Sequence, residues 1–230
     1  MSIASATHRF LQVLSGSDAF PVTHLVTGWF SSLYFRFATV GMENVPREGP
    51  FVLACNHVSY LDPYFCGYGC RVREVGFMAK EELFRVPVFS WFIRISGAFP
   101  IKRGTYDGDA FAVFFERLRE GRPVTVYPEG TRSVDGELHR GKRGIGMLLH
   151  KAKVPVIPVY LQGTFRAWPK GRALPKPCRV TMHIGPRVPL DDLMEAPAER
   201  KVQQAVSDRI MEAIADIRDR VEPVGKPHET

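Results

Sequence analysis

A single α/β domain, with a mixed and mostly buried sheet flanked by helices, is the fold that the sequence predicts. Three observations predict it: six short apolar, β-branched runs, stretches of helical period set among them, and a length of 230 residues, enough for one sizeable core. The runs are FVLACN, EVGFMA, GAFPI, PVTVYP, VPVIPVYL and CRVTMHIG. Most are continuous rather than alternating, as expected of strands covered on both faces.

Residues 1–38 form an N-terminal amphipathic segment. Within FPVTHLVTGWFSSLY, Val22, Leu25, Val26, Trp29, Phe30 and Leu33 recur at helical spacing, and Pro21 fits a first-turn position. The other face (Thr23, His24, Thr27, Ser31, Ser32) is polar but almost uncharged. Two readings are open: the stripe packs on the protein's own core, or it lies in a bilayer interface with Trp29 as anchor. VPVFSWFIRI (86–95), with Phe89, Trp91 and Phe92, admits the same two readings.

The α/β core spans 39–190. It holds the six runs and DAFAVFFERLREG, where Phe111, Phe114, Phe115 and Leu118 form a stripe and Gly121 is a C-terminal stop. Residues 191–230 form a C-terminal helix and tail. From about Ala198, Val202, Val206, Ile210, Ile214, Ile217 and Val221 line one amphipathic helix. No stretch reaches the roughly 18 apolar residues of a spanning helix. The nearest, LVTGWFSSLYFRFATV, is broken by Gly28, Ser31, Ser32 and Arg36, so a peripheral rather than a crossing protein is expected.

The formal charge of +7 is uneven: after Pro189 there are six basic and ten acidic residues, leaving 25 basic against 14 acidic before it. A body that basic implies an anionic partner, whether nucleic acid, phospholipid headgroups or a phosphorylated small molecule. Cys55, Cys66, Cys70 and Cys178 show no disulfide framework, and MSIASATHRF has no apolar signal core. A reduced protein on the cytoplasmic face is expected. Cys66 and Cys70 near His57 fall short of the four ligands in recognised pairs that a structural zinc site uses, so no metal is expected.

NHVSYLD (56–62) follows the first run and carries the most chemistry. On one regular helix, positions five apart diverge by about 140°, so His57 and Asp62 would not meet. Asp62-Pro63 instead reads as a helix start, with aspartate at the cap and proline in the first turn. The segment becomes strand, tight connection, helix. Either a loop folds the imidazole back onto the carboxylate, making His57 a base oriented by Asp62, or Asp62 is only a cap. Downstream, GAFPIKRG ends a strand with Lys102 and Arg103, and VTVYPEGTRS ends another with Glu129, Gly130, Thr131 and Arg132. Strand ends of an open α/β sheet are where ligands bind, and arginine grips phosphate with paired hydrogen bonds. The plain alternatives are a solvated turn for Lys102 and Arg103 and a surface ion pair between Arg132 and Glu129.

NHVSYLD, FPIKRG, YPEGTRS and VPVIPVYLQGT stand in the order of the four motif blocks of the lysophospholipid and glycerolipid acyltransferases, whose type members are the 1-acylglycerol-3-phosphate acyltransferases. The resemblance runs from about Val40 to Thr164. It implies an O-acyltransferase that moves a fatty acyl group from an acyl thioester, on coenzyme A or acyl carrier protein, to a lysophospholipid hydroxyl, with no bound cofactor and no metal. By that resemblance His57 is the general base and Asp62 its partner, while Arg103, Glu129, Gly130, Thr131 and Arg132 hold the acceptor's glycerol phosphate. Pro158 shapes the acyl-donor side. Lys142 and Gly144 match an F-K-x-G that follows the third block in many members, but Gly141 stands where the aromatic would be. Lys102 stands where an acidic residue is frequent, which leaves other acceptors open, lyso-ornithine lipid among them.

Two further patterns lead nowhere. GELHRGKR approaches a phosphate-binding loop but puts Arg143 in the place of the hydroxyl, with no strand leading into it, and GxSxG is absent. A non-catalytic binder of anionic membrane or nucleic acid is the rival reading. No recognised nucleic-acid module with aromatics among its basic clusters is present, so nucleic acid is not an expected partner.

Overall fold

The computed structural model describes residue 28, residues 31–85, residue 90, residues 93–94, 97–101 and 108–222. The N-terminal helical stripe up to Phe30, most of VPVFSWFIRI, and both Lys102 and Arg103 lie outside the described residues.

Seven strands among the described residues make one sheet: β1 (Ala38–Val40), β2 (Val52–Cys55), β3 (Gly76–Lys80), β4 (Ala98–Ile101), β5 (Val124–Val126), β6 (Val156–Gln162) and β7 (Thr181–Ile184). Their order is β1-β7-β6-β2-β5-β3-β4. Neighbours are parallel except β6 and β7, which run antiparallel, so the sheet is mixed as the sequence predicts. All six apolar runs are strands.

The continuous character of those runs has a simple cause. In β2, Leu53 and Cys55 enter one core with Phe35, Phe65 and Met182, while Val52 and Ala54 enter the other with Phe114, Leu148 and Ile210. Successive side chains point to opposite faces, and both faces are covered. Helix α1 (Asp62–Gly69) covers the first face. Helices α2 (Gly108–Arg119), α3 (Arg143–Ala152) and α6 (Arg200–Val221) cover the second, with short helices α4 (Thr164–Ala167) and α5 (Asp191–Glu195) in the connections. On α6, Val206, Ile210 and Ile214 are fully buried; each such side chain contributes about 1.5–3 kcal/mol relative to exposure.

Besides the short helices α4 and α5, two elements went unforeseen. Phe35–Val40 reads as the end of a broken apolar stretch, and only pairing with β7 makes Ala38–Val40 a strand. Helix α3 contains Gly144 and Gly146 and lacks a side-chain cap at Lys142, so propensity hides it. Packing supplies the reason for the second glycine. A methyl group at Gly146 would run into the backbone carbonyl of Gln203, and one at Gly141 into the Ser207 hydroxyl. Helix α6 thus lies against the position where an aromatic would follow the third motif block, and glycine there permits the approach.

Candidate active site

β2, β5 and β6 are mutually parallel neighbours with β2 between the other two. Their following loops therefore emerge together at one edge, the location expected of a ligand site. Asn56 fastens the first of these loops to the sheet: its side-chain oxygen accepts the Leu161 amide at 2.7 Å, and its nitrogen donates to the Leu161 carbonyl at 3.3 Å.

The chain then turns around one carboxylate oxygen. Asp62 Oδ2 accepts from His57 Nδ1 at 2.9 Å and from the amides of Val58 and Ser59, each at 2.7 Å. Asp62 is completely buried, and its Oδ1 has no hydrogen-bond partner among the described residues. The capping expectation is corrected in one respect. Leu61 occupies the cap and Asp62 is the first helical residue; its side chain makes no forward cap but reaches back to the preceding amides. That backward turn is what closes the spacing of five.

A carboxylate can only accept, so Nδ1 carries a proton, and in the neutral imidazole Nε2 is the nitrogen with the lone pair. The imidazole is 17% exposed, enough to leave one edge open to a substrate. Its flat face is stacked on Tyr127, the first residue after β5, at 4.0 Å between centroids and 23° between planes. Burial pushes the Tyr127 phenol well above its ordinary value, so the stacking ring stays neutral.

Glu129 joins the second loop to the first. One oxygen accepts the His57 amide at 3.0 Å, the other the His139 amide at 3.2 Å, and the side chain is buried. Burial raises its pKa above the ordinary glutamate value, partly offset by these two amides. The His57 carbonyl in turn accepts the Ser133 amide at 2.7 Å. Backbone at position 57 is thus bonded on both sides to the 129–133 loop. Between the bonds, Gly130 takes φ 69°, and a side chain there would press on Lys142 Cγ at 3.0 Å. Lys142 is exposed, with its stem over Gly130 and its amide bonded to the Pro128 carbonyl at 2.7 Å. Thr131 is exposed on the same loop.

The alternative reading of Arg132, a surface ion pair with Glu129, is not formed; both Glu129 oxygens accept backbone amides. Arg132 instead lies over the Tyr60 ring, 3.8 Å from its centroid, and makes no ion pair or hydrogen bond among the described residues. Tyr60 rests near Trp168 at 5.4 Å, and the Trp168 carbonyl accepts the Ser59 hydroxyl at 2.8 Å and the Tyr60 amide at 3.3 Å. The guanidinium edge is thereby held in place yet free to donate.

The structure thus brings together His57, Asp62, Glu129, Gly130, Thr131, Arg132 and Lys142. Lys102 and Arg103 follow β4, which is parallel to β3 and so points towards the same edge; their own positions lie outside the described residues. Sequence reasoning missed Asn56, Ser59, Tyr60, Tyr127 and Ser133. The first three stand inside NHVSYLD, and their polar or aromatic character within an apolar context was the available signal. The loop resembling a phosphate cradle has its amides engaged: Gly136 N–H donates to Ser133 Oγ, Glu137 N–H to Asp135, and His139 N–H to Glu129. Cys55, Cys66 and Cys70 are buried, and burial pushes the Cys70 thiol up to about 12. A cavity of about 440 Å³ opens elsewhere, lined by Lys153, Val156, Arg187, Leu190 and Met194, and no residue of the His57 assembly lines it.

The chain is similar to known proteins in sequence and in fold. The chain is 28% identical over 181 residues to the 1-acyl-sn-glycerol-3-phosphate acyltransferase of Bacillus subtilis, covering 78% of this chain and 87% of that protein. It is 34% identical over 142 residues to the chloroplastic 1-acyl-sn-glycerol-3-phosphate acyltransferase BAT2 of Brassica napus, covering 60% of this chain and 40% of that one. The chain spans about two fifths of the length of the two chloroplast relatives that it matches. The crystal structure of the 1-acyl-sn-glycerophosphate acyltransferase PlsC from Thermotoga maritima superposes with a TM-score of 0.70 at 27% identity, covering 92% of this chain and 88% of that one. Residues 36–162, which hold β1, the His57–Asp62 turn and the 129–133 loop, match the Acyltransferase family, and with that match the chain belongs to it.

Proposed function

We propose that the protein transfers a fatty acyl group from an acyl thioester to the free hydroxyl of a lysophospholipid, with 1-acyl-glycerol-3-phosphate as acceptor and phosphatidic acid as product. The observation that carries this reading is the bond from His57 Nδ1 to the buried Asp62 at 2.9 Å, with Arg132 unpaired on the loop whose Ser133 amide is bonded to the His57 carbonyl. His57 Nε2 removes the hydroxyl proton as the oxygen attacks the thioester carbonyl. The tetrahedral adduct collapses, the carbon–sulfur bond breaks, and the imidazolium returns the proton to the departing thiolate. Such base catalysis is worth ~10²–10⁴ in rate.

In this reading Arg132 grips the acceptor phosphate, aided by Lys142 and by Lys102 and Arg103. Glu129 acts through the loops it joins rather than by touching the phosphate, since its carboxylate would repel one. Pro158 and the chain after β6 border the acyl-donor side. Coenzyme A and acyl carrier protein both supply the thioester required. The enzyme works at the cytoplasmic face of the membrane, where its lipid acceptor lies; no helix among the described residues is long and apolar enough to cross a bilayer.

Thiol release from an acyl thioester tests the reading. Release should require lysophosphatidic acid and be matched mole for mole by phosphatidic acid. Release that ignores the acceptor would identify a thioesterase instead. A parallel series of lyso-lipids with other headgroups, lyso-ornithine lipid included, ranks the acceptors.

A further inference from the structure

The segment that begins in α4 and continues beyond it carries a surface feature that acyl transfer does not use. Between Phe165 and Arg179 stand five basic residues (Arg166, Lys170, Arg172, Lys176, Arg179) and no acidic one. All five are exposed. No carboxylate pairs with Lys170, Arg172, Lys176 or Arg179 among the described residues, whereas elsewhere Arg140, Arg187, Arg209 and Arg218 each have one, on Asp208, Asp191, Asp192 and Asp219. Leu174 stands in the middle of this strap and is 74% exposed. The strap is bound to the mouth of the site, since Ser59 pairs with Pro169 and the Trp168 carbonyl accepts the Ser59 hydroxyl. It is also bound to the chain leading into β1, because the Tyr34 hydroxyl donates to the Pro175 carbonyl at 3.0 Å; next to Tyr34, Leu33 is 68% exposed.

We propose that the strap of residues 165–179 is the protein's contact with an anionic lipid surface, its cations on the headgroups and Leu174 at the acyl boundary. Lys170, Arg172, Lys176 and Arg179, without carboxylate partners among the described residues and spread along the chain on either side of an exposed leucine, complement a plane of negative charge above hydrocarbon. An acidic protein or a nucleic acid would use the charge but leave Leu174 without a role. The proposal rests on the reading of the site as one for lipid acceptors: contact here sets the His57 cleft at the lipid surface.

Cosedimentation of the full chain with phosphatidylglycerol-containing vesicles, against phosphatidylcholine vesicles, tests it. The wild type should bind the anionic vesicles and release them as salt rises. Lys170→Gln, Lys176→Gln and Arg179→Gln should each weaken binding about fivefold, and together about a hundredfold. Arg187→Gln, Arg209→Gln and Arg218→Gln together remove the same charge from the paired side and should change binding less than about twofold by the same screening argument. Leu174→Asp should weaken binding without altering the formal count of cations. The triple strap variant should keep wild-type turnover on a monomeric short-chain lysophosphatidate. If the triple variant sediments like the wild type, the proposal is overturned and the anchor is apolar and elsewhere. Binding to an acidic carrier protein with no response to anionic vesicles overturns it in favour of a protein partner. An absence of acyl transfer with strap-dependent vesicle binding would sink the enzymatic reading alone.

Discussion

The carboxylates that follow β2 and β5 are bonded to backbone amides, whereas Asp208, Arg209 and Arg218 on α6 are bonded to opposite charges on the surface. Asp62 takes two amides and an imidazole, and Glu129 takes two amides from different loops. Around α6, Arg209 meets Asp192, Arg140 meets Asp208 and Arg218 meets Asp219, all in solvent. Buried carboxylates bonded to backbone set the course of the chain itself, so their loss displaces loops. Exposed ion pairs are screened and replaceable. The difference teaches where substitutions will matter: the first region holds a geometry, and the second holds a surface closed over a packed helix pair.

The sharpest way to break that contrast is Asp62→Asn. The amide cannot accept on every side as the carboxylate does, and it releases the imidazole from its Nδ1–H form. Turnover should fall by ~10²–10⁴ with the fold retained, read as kcat beside a circular-dichroism melt. Glu129→Gln comes next. Its NH₂ must face one of two backbone N–H groups, and an unsatisfied buried amide costs about 1–3 kcal/mol, so kcat should fall roughly ten- to a hundredfold. Burial raises the Glu129 pKa. Its stability contribution is therefore complete below the ordinary glutamate value and declines as pH rises through the raised one. Urea melts of wild type and Glu129→Gln should converge in that direction across the window; a difference that grows with pH would refute the burial argument.

Within the second region, two neighbouring glycines make a matched test. Gly146→Ala sets a methyl group against the Gln203 backbone, which cannot swing aside, and should cost about 1–3 kcal/mol by thermal melt. Gly144→Ala meets open space and should stabilise α3 by up to about 1 kcal/mol. Equal effects would mean that α3 and α6 are not closely apposed. Tyr60→Leu returns to the first region with a smaller effect. Removing a stacked ring beneath an arginine is worth about 0.5–1 kcal/mol, so KM for the phosphorylated acceptor should rise two- to fivefold with kcat unchanged, while Tyr60→Phe keeps wild-type values. Arg209→Gln should be nearly silent in both activity and melting temperature. Its exposed partner Asp192 is held below the ordinary carboxylate range by the guanidinium, so any contribution is present above the ordinary aspartate value and lost as pH falls.

Legibility of the sequence tracked how local each cause is. The six strands were readable because a strand buried on both faces writes a continuous apolar run, as VLAC does in β2. Helix α6 was readable because its buried residues keep a helical period over 22 residues. Strand β1 was not, since its three residues are strand only through pairing with β7. Helix α3 was hidden by glycines whose purpose is contact with a distant helix. At the site, the meeting of His57 and Asp62 was foreseeable from the strand–turn–helix reading, but the means was not: Asp62 reaches backwards instead of capping. Tyr127 beneath the imidazole and Tyr60 beneath Arg132 are tertiary stacks between loops of different strands, which no local pattern encodes. Glu129 looked like a partner for Arg132 until the amides of His57 and His139 were seen to occupy it.

Turnover of purified, folded His57→Ala with an acyl thioester and lysophosphatidic acid, beside the wild type under saturating conditions, bears on all of this at once. Thiol release should drop by ~10² or more, with KM for the acceptor little changed. A variant that still transfers acyl groups at close to the wild-type rate would show that the imidazole is not the base and that the Asp62 turn serves the fold alone.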